Sequence, residues 1–252
     1  METYLYSKIR KIVSIILFSL CFAFAGKREF IRDYTYQASE MDSKITARTN
    51  ASAEMRNILL REIGQFIMSS QTMIDNEFSE KVEAVTAGIV EMTIISENWT
   101  GKTYYIKAKM VVDESDVKRR VDAIMKDRQR SDELFEARKR AMEAEMEVFR
   151  LRNQAGNINA PATTRTEYTQ KVLQLGQQND FTSGLAAYEN GNYSLALSHF
   201  KRAGNSADVF YMYGKVYAGM GNKKKSDANF KKAADMGHPG AQIRIRRQGY
   251  KR

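Results

Sequence analysis

The sequence predicts an α+β N-terminal domain, with a long helix on a small antiparallel sheet, followed by a charged long helix and then an all-α helical repeat, an α-solenoid. Three observations predict this order. Alternating apolar residues flank a helix-period run before residue 113, a charge-dense stretch carries apolar residues every three or four positions, and a 30-residue internal repeat follows residue 180. The 252 residues, 43% hydrophobic and 28% charged with two prolines, suit a helix-rich globular chain with its own cores and exclude collagen-like or proline-rich disordered classes. The formal net charge of +10 raises the question of which segment carries it.

Residues 1–25 read as a signal peptide. Lys8, Arg10 and Lys11 precede an apolar run from Ile12 to Phe24, and Ala23-Phe24-Ala25 supplies a small-x-small cleavage site before Gly26. The run is shorter than the roughly 20 residues a spanning helix needs. An exported protein, periplasmic or extracellular after cleavage near Ala25, is the expectation. Cys21, the single cysteine, is removed with this segment or, in the alternative of a lipoprotein signal, anchors the chain; Leu20 is larger than the residue such signals place before the cysteine. Removal leaves no disulfide, cysteine nucleophile or zinc–cysteine site. It also subtracts three basic residues and Glu2, which lowers the net charge to +8.

Residues 26–126 form the α+β domain. Phe30, Arg32, Tyr34 and Tyr36 alternate with Ile31, Asp33 and Thr35, which predicts a strand. Ser39 followed by Asp42 resembles a helix start, and Met41, Ile45, Met55, Ile58, Leu59, Ile63, Phe66 and Ile67 set an amphipathic helix over residues 40–68. A Val/Ile/Thr-rich run over 81–95 and the alternation of Tyr104, Ile106, Ala108, Met110 and Val112 predict a hairpin joined by residues 97–101, one face of which the helix covers. Trp99 at its tip either contacts a ligand or folds back on the sheet. Ala38-Ser39 with Ala47-Arg48-x-x-Ala51 resembles the small exported domain of flagellar T-ring and related lipoprotein families. That resemblance implies a role in envelope assembly and supplies no catalytic residues.

Between residues 113 and 152 eleven acidic and eleven basic residues balance. Leu134, Ala137, Ala141, Ala144, Val148 and Leu151 repeat at spacings of three and four within a charged helix over 127–152, and Phe135, Met142 and Phe149 widen the stripe at seven-residue intervals. This is a candidate self-associating coiled coil or a helix lying on its own neighbours. Gly156, Pro161 and small polar residues predict a linker over 153–166.

Beyond the linker, residues 167–252 repeat. Gly184, Gly191, Phe200 and Ala203 of one unit recur 30 residues later as Gly214, Gly221, Phe230 and Ala233, with Tyr188, Ala196 and Tyr217 filling further repeat positions and Ser226 standing where the first unit has Ala196. The first glycine of each unit lets helix A approach helix B, the second makes the turn, and Phe and Ala of helix B fill the gap. This pattern resembles the tetratricopeptide and Sel-like repeat superfamily, and the ending Lys232-Ala-Ala234-Asp-Met-Gly237-His-Pro239-Gly-Ala241-Gln is similar to the Sel-like subclass. The resemblance implies a helix-lined concave surface for a protein partner. A helix over 167–175 is expected to cap the array, and residues 242–247 to begin an incomplete third unit.

No phosphate loop, nucleophile elbow or zinc signature appears, and His199 and His238 occupy ordinary repeat positions. No catalytic, cofactor or metal residue is therefore nominated. Residues 201–252 hold thirteen basic and three acidic side chains, so the whole basic excess belongs to the repeat tail. Lys223, Lys224, Lys225, Lys231, Lys232, Arg244, Arg246 and Arg247 are candidate partner-binding cations for an acidic envelope protein, an anionic glycan or a lipid surface, and Tyr188, Tyr211, Tyr213 and Tyr217 are candidate contact or packing aromatics. Export argues against nucleic acid. The expected function is a non-enzymatic scaffold or adaptor that binds an envelope partner through its repeats; the alternative is an assembly component that forms homo-oligomers through its N-terminal domain and charged helix.

Overall fold

The computed structural model describes residues 27–68, 83–155 and 161–249. The signal-peptide segment and Cys21 lie outside the described residues, as do Lys251 and Arg252 of the basic tail. Among the described residues no helix is long and apolar enough to cross a membrane.

Three antiparallel strands, β1 (Lys27–Gln37), β2 (Met92–Trp99) and β3 (Thr103–Asp113), form a sheet in the order β1-β3-β2. Tyr104, Ile106, Ala108, Met110 and Val112 of the central strand are all buried on one face, as period-two alternation requires. Helix α1 (Lys44–Met68) covers that face with Met55, Leu59, Leu60, Ile63 and Ile67. It starts four residues later than the sequence suggests because Ser43 Oγ accepts the Thr46 N–H at 3.2 Å, while Asp42 turns back to accept both the N–H and the hydroxyl of Ser39 at 2.8 Å.

Two further sequence expectations are corrected here. The run 81–95 is not one strand: residues 83–87 are helical, and β2 begins only at Met92. Ala84, Val85, Ala87, Ile89 and Val90 are buried, and a short apolar run buried all round has no face to betray its period. The hairpin turn is also tighter than 97–101. Glu97 and Asn98 still pair with Ile106 and Tyr105, a register shift between Ile94 and Ser96 absorbs the difference, and Gly101 turns the chain at φ +91°. Trp99 folds back, with its ring 6.1 Å from that of Tyr104.

Asp113 caps α2 (Glu114–Lys126) by accepting the Asp116 N–H at 3.0 Å, and α2 buries Val117, Val121 and Ile124. Helix α3 (Arg128–Ala155) follows and runs antiparallel to α4 (Ala162–Glu189). The stripe Leu134, Ala137, Ala141, Val148 and Leu151 is buried within this chain, with Val148 and Leu151 packed on Tyr168, Val172 and Leu175 of α4. Those five side chains are therefore packed within the chain, whereas Met142 and Phe149, which widen the stripe, stay exposed. The linker expectation shrinks as well, because helix resumes at Ala162 and continues without a break through the helix expected over 167–175 into the first repeat.

The repeat units then follow in helix pairs. Unit one pairs the end of α4 with α5 (Tyr193–Arg202); unit two pairs α6 (Ala207–Gly219) with α7 (Lys223–Asp235); α8 (Pro239–Gly249) packs on α7. The two units share the same close approach and the same turn. A Cβ on Gly184 would lie 2.6 Å from the Phe200 ring and one on Gly214 2.7 Å from the Phe230 ring. Gly191 and Gly221 both turn at φ +74°, and the following Asn192 and Asn222 N–H groups both donate at 2.8 Å to Ala187 O and Tyr217 O. Phe200, Phe230, Ala196 and Ala233 are buried; Ala203, half-buried, closes α5. Ser226, in the place of Ala196, is buried and donates its hydroxyl to Gly214 O at 2.9 Å.

Candidate partner-binding groove

A groove of about 1360 Å³ runs along the A-helix side of the repeats. Its floor is the end of α4, with Phe181, Leu185 and Tyr188; one wall is α6 and α8, with Asp208, Tyr211, Met212, Lys215, Ile243, Arg244 and Arg247; the other is the N-terminal half of α3, with Arg128, Gln129, Asp132, Glu133, Glu136 and Arg140. Asp208, Tyr211 and Lys215 fall at spacings of three and four, so one face of α6 presents all three.

Side chains of α3 reach across this space. Lys215 Nζ donates to Glu133 Oε2 at 2.9 Å, Gln129 Nε2 to the Tyr211 hydroxyl at 3.3 Å, and Arg140 Nη1 to Asp208 Oδ2 at 2.5 Å. Arg130 pairs with Glu189 at the end of α4. The Lys215 ammonium lies 5.4 Å from the centre of the Tyr188 ring and 5.6 Å from that of Tyr211, so two aromatic faces flank the cation. Tyr211 stacks on His238 at 4.0 Å with 13° between the planes. Burial, reinforced by the Glu133 carboxylate, pushes the Tyr211 phenol above its ordinary range.

His238 is positioned as a cap. Its Nδ1 accepts the Ala241 N–H at 3.2 Å at the start of α8, and Nε2 lies 3.6 Å from Asp208. Burial lowers its pKa despite the carboxylates of Asp208 and Glu133, which favours the neutral ring that a cap needs. Among the described residues no group of three or more His, Cys, Asp or Glu is placed to hold a metal ion.

The structure divides the residues that the sequence nominates. All eight cations of the tail are exposed, and none forms an ion pair with a described residue. Arg244 and Arg247 line the groove; Lys223, Lys224, Lys225, Lys231, Lys232 and Arg246 do not. Lys225 instead lies over the Tyr217 ring at 5.1 Å and Lys232 over Phe210 at 3.9 Å. Of the four tyrosines, Tyr188 and Tyr211 face the groove, whereas Tyr213 packs on Phe200 and Phe210. Lys215, Asp208, Glu133 and Arg140 escape sequence reasoning because a charge on a helix reads the same whether solvated or paired.

Two buried polar clusters elsewhere tie α4 to β1 and α1. Tyr168 donates to Asp42 at 2.6 Å, and Asn50 donates to the hydroxyls of Tyr36 and Tyr168 at 2.9 Å. Burial pushes the Asp42 carboxyl up, but hydrogen bonds from Tyr168, Ser39 and Thr46 outweigh it and hold it below its ordinary value. In the second cluster Arg56, fully buried, donates to Ser183 at 2.5 Å near Arg138, which donates to Asn57 at 3.0 Å.

Compared with known proteins, the chain matches no family model, no curated protein and no solved structure.

Proposed function

We propose that this is an exported, non-enzymatic scaffold or adaptor that binds a protein partner in the cell envelope through its helical repeats, as its resemblance to tetratricopeptide and Sel-like proteins implies. The observation that carries this reading is the duplicated helix-pair geometry, which sets Tyr188, Tyr211, Lys215 and Arg244 along one groove. A photo-crosslinking residue placed at Ile243 in the groove, and separately at Lys107 on the open sheet face, tests it in the native cell. Crosslinked product from the groove position alone, on a chain whose N-terminus is Gly26, is expected. Equal crosslinking from both positions, or retention of residues 1–25 inside the cell, refutes it.

A second reading, an envelope assembly component that self-associates, is favoured by Met142, Met146 and Phe149, which stand 45%, 64% and 65% exposed on one face of α3. Sedimentation equilibrium separates the two. A monomer at micromolar concentration counts against assembly, and an oligomer that Met146→Ser with Phe149→Ser dissolves supports it.

A further inference from the structure

We propose that Lys215 is the recognition cation for a carboxylate on an acidic peptide segment of the partner, and that Glu133 is its built-in stand-in. Side chains of α3 thereby bridge the groove until such a segment displaces Glu133. This inference deepens the partner-binding reading of the groove and rests on it.

Several observations converge. Lys215 is fixed between the rings of Tyr188 and Tyr211, which orients an ammonium at a defined place, and the carboxylate that meets it is Glu133 at 2.9 Å, from a helix outside the repeat. The contacts that bridge the groove, Glu133 to Lys215, Gln129 to Tyr211 and Arg140 to Asp208, are side-chain contacts only; Lys215 and Glu133 stand 21% and 26% exposed and Tyr211 is buried, so a rival carboxylate must replace the Glu133 pairing in place and not leave the ammonium unpaired. Further along α8, Arg244 and Arg247 line the same groove and form no ion pair with a described residue. The groove thus sets Lys215, paired from within, beside Arg244, whose guanidinium lies 4.2 Å from the centre of the Phe230 ring, and Arg247, neither in an ion pair with a described residue, while Asp132 and Glu136 lie on the opposite wall. Phe181, Leu185 and Met212 add an apolar lining. An occupant with spaced carboxylates and apolar side chains fits this chemistry, and a cleft walled by helices admits a peptide segment where it would not admit a bilayer face.

The stand-in lowers apparent affinity, because binding must first release Glu133. The test uses the full mature chain and two fluorescent 14-residue peptides, one of Glu and Leu and its Gln and Leu counterpart, read by anisotropy at low salt. The acidic peptide is expected to bind Glu133→Gln about 3- to 10-fold more tightly than wild type. Lys215→Gln should lose binding in both backgrounds, Lys215→Arg should retain it, and Arg244→Gln with Arg247→Gln should weaken it. Thermal melting of each variant separates lost binding from lost fold. Equal affinity of wild type, Glu133→Gln and Lys215→Gln overturns the proposal. Equal binding of the Gln/Leu peptide also overturns it while leaving peptide binding by the groove intact. If neither peptide binds any variant yet groove-specific crosslinking persists, the partner class is wrong and the partner-binding reading stands.

Discussion

Gly184→Ala and Gly214→Ala probe the helix-pair contact that defines both repeat units, with Gly176→Ala as an internal control. At 184 the new methyl would sit 2.6, 2.7 and 2.9 Å from three atoms of the Phe200 ring; at 214 it would sit 2.7 to 2.8 Å from the Phe230 ring. Ordinary contact begins at 3.4 Å, so each ring must retreat by most of an ångström. Phe200 is fully buried, and the rings of Phe181 and Tyr213 lie 5.6 and 6.2 Å from it, which leaves little room for that retreat. Overpacking of this kind costs about 1–3 kcal/mol. The gain from replacing glycine by alanine inside a helix is about 1 kcal/mol. The balance at 184 and 214 is a loss of up to about 2 kcal/mol. At Gly176 the nearest atom is Thr49 Cγ2 at 3.5 Å, so the helix gain stands almost alone and the variant should be about 0.5–1 kcal/mol more stable. Urea unfolding followed by circular dichroism reads these differences, and Phe200→Leu in the Gly184→Ala background should restore part of the loss. If Gly184→Ala and Gly214→Ala prove as stable as Gly176→Ala, the close approach of the paired helices is refuted.

Three other substitutions test separate parts of the chain. Asp42 titrates below its ordinary value when folded, so the stability it contributes is complete above the usual carboxylate range and is lost as pH falls through that lowered value. Asp42→Asn should cost about 1–2 kcal/mol at pH 7, with the gap to wild type closing below about pH 4, as measured by urea melts at both pH values. Burial, with the like charge of Arg138 nearby, lowers the Arg56 guanidinium to about 10, so its burial opposes folding at every pH below that value and is relieved as pH rises beyond it. Arg56→Met should be neutral or stabilising by about 1–3 kcal/mol at pH 7, and a clear loss would show that the Ser183 contact outweighs the buried charge. Lys223, Lys224 and Lys225 occupy the first turn of α7, where the positive end of the helix dipole repels them. Lys223→Glu should therefore add about 0.3–1 kcal/mol in a thermal melt, and a lower melting temperature would refute that electrostatic cost.

The parts of the fold legible in the sequence are those in which one face is buried and the other is not. Tyr104 to Val112 alternates because α1 covers only one side of the sheet, and Gly184 with Phe200 is legible because Gly214 with Phe230 repeats it. Residues 83–90 are misread because burial on all sides erases the period, and their β-branched composition then dominates. The stripe of α3 is legible as a stripe, yet periodicity says only that a surface is buried and not against which helix, so a seam that packs on α4 also suits a coiled coil. Half of the groove follows from the repeat, through Tyr188, Tyr211, Arg244 and Arg247. Its other wall comes from a helix fifty residues earlier in the chain, and only the fold brings Glu133 to Lys215.

That second wall bears on how the groove can move. Because α4 is continuous from Ala162 to Glu189, its first half packs with α1 and α3 while its last turns serve as helix A of unit one, so unit one cannot rotate against α1 and the C-terminal half of α3 without bending a helix. The Asp42–Tyr168 and Arg56–Ser183 contacts pin both halves of that helix. After α5 the connection is of another kind, because Gly204 turns the chain at φ +100° and α6 begins at a Ser206 cap, so no helix is shared between unit one and unit two. Unit two is held on unit one by apolar packing, with Tyr213 against Phe200, and on α3 by Gln129 to Tyr211, Glu133 to Lys215 and Arg140 to Asp208. The polar contacts that bridge the groove are thus among those that hold unit two against α3, so a ligand that displaces Glu133 removes one of these bridges while the apolar packing of α6 on unit one stays.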